Sequence, residues 1–260
     1  MRYEEAVAPF EFGEGSKYVL AIHGFTGMTY KIRDLALYLA AQGFHVIGPQ
    51  LPGHGQNKEA LAETRWQDWW NEVKQTIETI RAKKPSHFFV TGLSMGGALT
   101  LYSAAQYPEI TAIAPICAPV FIKDNMSKLI PLIKLFKTYF PKKEEFGEQD
   151  PNLANNPILI ENNKRYNQHV LPAVASLLSM LKNIRKYQLS KIRQPILIAQ
   201  ALKDKTVHPS SAKYIFEHIS TKPEEKSILW LENSGHVATM DYDKEQLFSE
   251  IGNLFKKYSE

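Results

Sequence analysis

One cysteine, Cys117, stands in 260 residues, which excludes an internal disulfide. It lies in an apolar run, where a thiol reads as a core residue rather than a nucleophile. No stretch approaches the roughly 18 uninterrupted apolar residues of a spanning helix, so no stable membrane insertion is expected. The opening Met1-Arg2-Tyr3-Glu4-Glu5 carries two acids and leads into no apolar core. No signal peptide is expected, and the cytoplasm is the default location. Neither charge dominates: 31 Lys and Arg against 27 Asp and Glu leave a net +4. The charges are scattered, with no basic stripe interleaved with aromatics, which argues against a nucleic-acid partner. Internal repeats and low-complexity tracts are missing as well. What remains is 44% hydrophobic and 22% charged, the composition of a globular protein long enough to bury a large core.

The stretch 87–100, His-Phe-Phe-Val-Thr-Gly-Leu-Ser-Met-Gly-Gly-Ala-Leu-Thr, organises the rest. An apolar, β-branched and aromatic run enters Gly92-x-Ser94-x-Gly96, and helix-tolerant residues follow. This is the strand–turn–helix context of a nucleophile elbow. Side chains at Gly92 and Gly96 are expected to collide with the neighbouring strand and helix. The turn presents the Ser94 hydroxyl and places the Met95 N–H at a helix N-terminus, where an oxyanion forms.

Around it, apolar runs at 7–13, 17–22, 44–47 and 110–116 read as strands. The 3.6-residue spacing at 32–39 and 66–80 reads as helices, and 98–107 continues the elbow into another. Trp66, Trp69, Trp70, Val73 and Ile77 share one face, which predicts packing against the sheet. The alternation breaks at 120 and resumes with a strand at 195–201, a helix at 210–219, a strand at 227–231 and a closing helix at 244–258. Alternating strands and helices define an α/β chain with a mostly parallel central sheet and helices on both faces. The core is expected over 1–119 and 193–260, and 120–192 as a small helical cap. The apolar runs 129–136 and 170–181 argue that the cap covers a crevice at the carboxyl ends of the strands. Glu161 and Asn162, near its middle, are candidate substrate-binding residues for a polar head group.

A serine hydroxyl needs a base, and the base an orienting carboxylate. In this arrangement the chain order is Ser, then Asp or Glu, then His. Asp204 follows the 195–201 strand, and His236 follows the next one, in Ser234-Gly235-His236. These two, with Ser94, are the expected catalytic residues. His208 lies close to Asp204, but it precedes Pro209 at a helix start, where capping is the simpler role. The oxyanion hole needs a second N–H from the loop after an early strand, and His23-Gly24-Phe25 offers that of Phe25.

With those residues in place, the chain resembles the α/β-hydrolase superfamily. The motifs are His23-Gly24-Phe25-Thr26-Gly27, Pro52-Gly53-His54-Gly55, Gly92-Leu93-Ser94-Met95-Gly96-Gly97, Cys117-Ala118-Pro119 and Ser234-Gly235-His236. More narrowly, it is similar to the small bacterial carboxylesterases and monoacylglycerol lipases, closely over 17–119 and 195–258 and loosely over 120–192. The resemblance implies an α/β-hydrolase fold and a serine esterase that works through an acyl-enzyme. It implies short- to medium-chain esters or monoacylglycerols as substrates, with neither metal nor cofactor. It carries the triad onto Ser94, Asp204 and His236 and the oxyanion donors onto Phe25 and Met95. A small-molecule ester is the expected partner, and a monomer or weak homodimer the expected state. The alternatives are a thioesterase, an aromatic-acid (feruloyl-type) esterase, or a non-catalytic binding protein of the same fold.

Overall fold

A computed structural model describes residues 1–122, 137–141, 153 and 156–260. The apolar run 129–136 of the expected cap lies outside the described residues.

β2 (Lys17–Ile22), β4 (His87–Leu93), β5 (Ala112–Ile116) and β8 (Ile196–Ala201) are almost wholly buried. Near-continuous apolar runs of this kind suit parallel strands covered on both faces. They join β1 (Phe10–Phe12), β3 (His45–Gly48) and β9 (Lys226–Leu231) in one seven-stranded sheet, ordered β1-β3-β2-β4-β5-β8-β9. The β1–β3 pair is antiparallel, and every other pairing is parallel.

Alternate residues of the strands feed two cores. Leu20, Ile22 and Val90 face α4 (Trp66–Ala82), α5 (Met95–Gln106) and α8 (Ser210–His218). Val19, Ala21 and Phe89 face α2 (Tyr30–Ala41) and α9 (Lys244–Lys257). Two short helices, α1 (Tyr3–Val7) and α3 (Lys58–Glu63), complete the layers.

The segment between β5 and β8 departs from the all-helical expectation. It holds α6 (Pro157–Arg165) and α7 (Leu171–Asn183), but also a two-stranded antiparallel pair, β6 (Tyr139–Pro141) and β7 (Gln168–Val170). Each strand is three residues long, too short to leave a period-2 pattern. Tyr166, Val170, Leu177 and Leu181 are buried in the same cluster as α4 and α5. The tryptophan stripe serves that contact as much as the sheet. Trp69 is fully buried, whereas Trp66 and Trp70 lie edge-on to Tyr102, and the Trp66 N–H donates to Ser176 Oγ on α7 at 2.8 Å. Among the described residues, no helix is long and apolar enough to cross a membrane.

The order of the strands positions the site. The chain leaves β2 for β3 on one side and leaves β4 for β5 on the other, so the loops after β2 and β4 diverge at the sheet's carboxyl edge. Such a switch point opens a crevice.

Candidate active site

At the end of β4, Ser94 adopts φ 58° and ψ −117°. A side chain forced into this strained region of backbone space marks a nucleophile elbow. The glycines permit it by contact. A Cβ on Gly96 would sit 2.1 Å from the Ile22 carbonyl oxygen of β2, and one on Gly92 would sit 2.5 Å from the Gly96 carbonyl. α5 therefore starts pressed against the sheet, and the Ser94 N–H is tied to the Ile116 carbonyl at 2.8 Å.

Ser94 Oγ lies 2.8 Å from His236 Nε2, and His236 Nδ1 lies 2.8 Å from Asp204 Oδ2. Asp204 is fully buried after β8, while Ser94 and His236 remain partly exposed. Asp204 Oδ1 accepts the Thr206 and Val207 N–H groups at 2.8 and 2.9 Å, and Gln200 Nε2 approaches Oδ2 at 3.4 Å. Burial pushes the Asp204 carboxyl up, but the His236 partner and the two backbone donors outweigh it and hold the group below its ordinary value. The carboxylate thus stays ionised, and it fixes the His236 tautomer whose Nε2 lone pair faces Ser94.

The loop that carries His236 is tied down by two acids. Asp243 accepts from the Asn233 N–H, the Ser234 N–H and the Ser234 hydroxyl, at 2.8–2.9 Å. Asp241 accepts the Gly235 N–H at 2.8 Å. Sequence reading missed both, although Asp241-x-Asp243 just before a helix is a turn-and-cap signal. His208 is not part of this set; its Nδ1 lies 2.7 Å from Ser210 Oγ at the start of α8, a surface cap.

Met95 directly follows Ser94 in the chain, and Gly24, which precedes Phe25, lies against that serine. Met95 is the first residue of α5 and is buried. The loop before Phe25 passes so close that a Cβ on Gly24 would lie 3.8 Å from Ser94 Oγ. The Phe25 ring packs on His54 and Trp69, with centroids 5.8 and 5.6 Å away. Two buried histidines support this loop. His23 Nδ1–H donates to the Gly24 carbonyl at 2.9 Å while its Nε2 accepts the Leu51 N–H at 3.0 Å. His54 Nδ1–H donates to the Pro52 carbonyl at 3.0 Å.

Burial pushes the imidazole of His23 down to about 4 and that of His54 to about 3, so both are neutral in the folded protein. Between an unfolded value of about 6.5 and these, the unfolded chain binds more protons than the folded one. Stability is therefore complete above about pH 6.5 and falls as the pH drops, by about 1.4 kcal/mol per unit for each histidine. Urea unfolding at pH 7 and pH 5 checks this. The stability difference should shrink by roughly half in His54→Gln. Equal wild-type stability at both pH values contradicts the account.

Cys117 directly follows β5 and has φ 45°. Its sulfur and the facing ligand atoms of Asp204 and His236 all lie within 4.8 Å of one another. This trio is where a metal would be sought among the described residues. Its protonation is wrong for ligation: burial and the Asp204 charge push the thiol well up, and His236 Nδ1 is engaged with the carboxylate.

Glu161 and Asn162 join a different set. Glu161 is paired with Arg165 at 2.9 Å, and the buried Asn162 amide bonds to the Thr26 carbonyl and the Tyr3 hydroxyl, so both have protein partners.

A parallel sheet with an elbow serine at its switch point, and a carboxylate and imidazole at the next strand ends, defines an α/β-hydrolase. The chain belongs to the Hydrolase_4 family, described as serine aminopeptidase S33, whose model matches residues 13–243. It is 34% identical over 252 residues to a thermostable monoacylglycerol lipase of Bacillus sp. (strain H-257), spanning 96% of this chain and 95% of the lipase. It is 29% identical over 249 residues to a carboxylesterase of Bacillus subtilis (strain 168), spanning 96% of each. A solved structure of a metagenome-derived lipolytic enzyme superposes with a TM-score of 0.86 at 29% identity, covering 97% of this chain and 98% of that one.

Proposed function

We propose that this protein is a serine carboxylic-ester hydrolase acting on short- to medium-chain esters or monoacylglycerols, with Ser94, His236 and Asp204 as its triad. The observation that carries the assignment is the unbroken chain Ser94 Oγ–His236–Asp204, at 2.8 Å per link, on three separate strand ends. The carboxylesterase and the monoacylglycerol lipase among its relatives support an ester as the small-molecule substrate.

The mechanism follows from the geometry. Ser94 Oγ attacks the ester carbonyl as its proton passes to His236 Nε2. Asp204 holds the imidazole and stabilises the imidazolium. The oxyanion is received by the N–H groups of Met95 and Phe25; losing one such donor typically costs about 3 kcal/mol. Collapse expels the alcohol, protonated by His236, and leaves an acyl-Ser94. Water, deprotonated by His236, then releases the acid.

Residues 120–192 are assigned as the cap over the acyl pocket, in a cytoplasmic protein that is a monomer or weak homodimer. Their apolar content is what supports this reading. Each methylene buried contributes about 0.8 kcal/mol, or roughly fourfold in kcat/KM, until the pocket fills. A series of p-nitrophenyl esters from two to eight acyl carbons tests it. The thioester and anilide of the best acid, and its monoacylglycerol, belong in the same panel. A rise with chain length and a preference for the oxygen ester are expected. A flat length profile removes the cap assignment, and preference for the thioester or anilide removes the ester assignment.

A further inference from the structure

The contacts of Asn162 lead back to the oxyanion loop. This asparagine is 3% exposed. Its Nδ2 donates to the Thr26 carbonyl at 3.0 Å, and its Oδ1 accepts the Tyr3 hydroxyl at 3.1 Å. Thr26 directly follows Phe25 and has φ 51°, a left-handed conformation that a β-branched residue keeps only when its surroundings impose it.

Two peptide planes then stand in series. The carbonyl of Thr26 belongs to the plane that carries the Gly27 N–H, and that N–H donates to the Gly24 carbonyl at 3.0 Å. The Gly24 carbonyl belongs to the plane that carries the Phe25 N–H. Orienting the Thr26 carbonyl thus orients, one hydrogen bond further on, the group assigned to the oxyanion. Aligned bonds in series also polarise one another.

The far end of the series is anchored as well. The Arg165 guanidinium lies over the Tyr3 ring at 4.4 Å and is itself paired with Glu161 at 2.9 Å. Burial pushes the Tyr3 phenol up to about 12, so it remains a donor to Asn162.

We propose that Asn162 is a positioning residue for the oxyanion hole: its amide clamps the Thr26 carbonyl and thereby aims the Phe25 N–H at the developing oxyanion. The role makes α6 part of the catalytic support, and it rests on the assignment of Phe25 as an oxyanion donor.

The test compares wild type, Asn162→Ala, Asn162→Asp and Tyr3→Phe. Three quantities are read: kcat and KM for a p-nitrophenyl ester, and the inhibition constant of an alkyl trifluoromethyl ketone. Ser94 Oγ adds to the ketone carbon, the carbonyl π pair becomes the oxyanion, and the hydroxyl proton goes to His236 Nε2. The bound hemiketal therefore reads the oxyanion hole directly.

Asn162→Ala should lower kcat about tenfold with KM nearly unchanged, and weaken the ketone in parallel. Asn162→Asp is isosteric and keeps an acceptor for Tyr3, but it turns a carboxylate oxygen toward the Thr26 carbonyl. It should be at least as severe. Tyr3→Phe loosens only the anchor, and about a two- to threefold loss is expected.

Wild-type kcat and ketone affinity in both Asn162 variants overturn the proposal. So does a lowered melting temperature with normal kinetics below it, which is a purely structural role. If Asn162→Ala does not fold, Asn162→Asp and Tyr3→Phe decide by the same readouts. A wild-type protein that forms no ketone adduct on Ser94 defeats the esterase reading and this inference together. An active wild type with unaffected variants defeats this inference alone.

Discussion

Ser94→Ala is expected to lose at least about a thousandfold in kcat/KM while its unfolding midpoint stays close to that of wild type. The hydroxyl supplies the attacking oxygen, and what remains without it is the oxyanion hole and binding, which act on water poorly. Folding is spared for two reasons. Ser94 Oγ is bonded to His236 in a partly exposed position, so no buried group is left without a partner. Alanine also carries the same Cβ through the strained turn, so the φ of 58° is no harder to hold. Steady-state kinetics on a p-nitrophenyl ester, with circular dichroism on the same sample, checks both halves. Turnover above about a thousandth of wild type contradicts Ser94 as the nucleophile.

Asp204→Asn should cost about ten-thousandfold in kcat through the histidine rather than through the fold. Oδ1 of Asp204 accepts two backbone N–H groups, and Oδ2 accepts His236 Nδ1–H. An asparagine can satisfy the backbone only by turning its NH2 toward His236. The imidazole must then accept at Nδ1 and carry its proton on Nε2, where it can no longer take one from Ser94. His236→Ala should be comparably disabled, and His208→Ala should behave as wild type, because that ring caps α8. The reverse pattern would identify His208 as the base.

How far these features are legible in the sequence depends on the range of the forces behind them. The elbow is legible because its cause is local: residues four apart must be small for α5 to start against β2, and the 2.1 Å that would separate a Cβ on Gly96 from the Ile22 oxygen shows how little room there is. Strand β2 coincides with its apolar run, since burial on both faces leaves no other pattern. Asp204 and His236 could be picked out as polar residues just past buried strands in the required order.

Asn162 could not be understood that way. Its partners Thr26 and Tyr3 lie 136 and 159 residues away, and no local pattern announces a bond that the topology creates. On sequence it is a polar cap residue open to a ligand; in the fold both ends of its amide are engaged. The β6–β7 pair is hidden for a related reason. Pairing across about thirty residues with three-residue strands depends on the surrounding helices rather than on β-propensity. The pattern over 7–13 predicts a strand, but α1 claims Val7 and β1 spans only Phe10–Phe12.

The most direct test of the account is the location of the acyl group. The protein is mixed with excess p-nitrophenyl ester, quenched in acid within the first turnovers, digested and analysed by mass spectrometry. The account predicts one acyl group per chain, on the peptide that contains Ser94, missing in Ser94→Ala and accumulating in step with the first equivalent of p-nitrophenol. An acyl group on any other residue, or steady hydrolysis in a chain whose Ser94 is never modified, would contradict it.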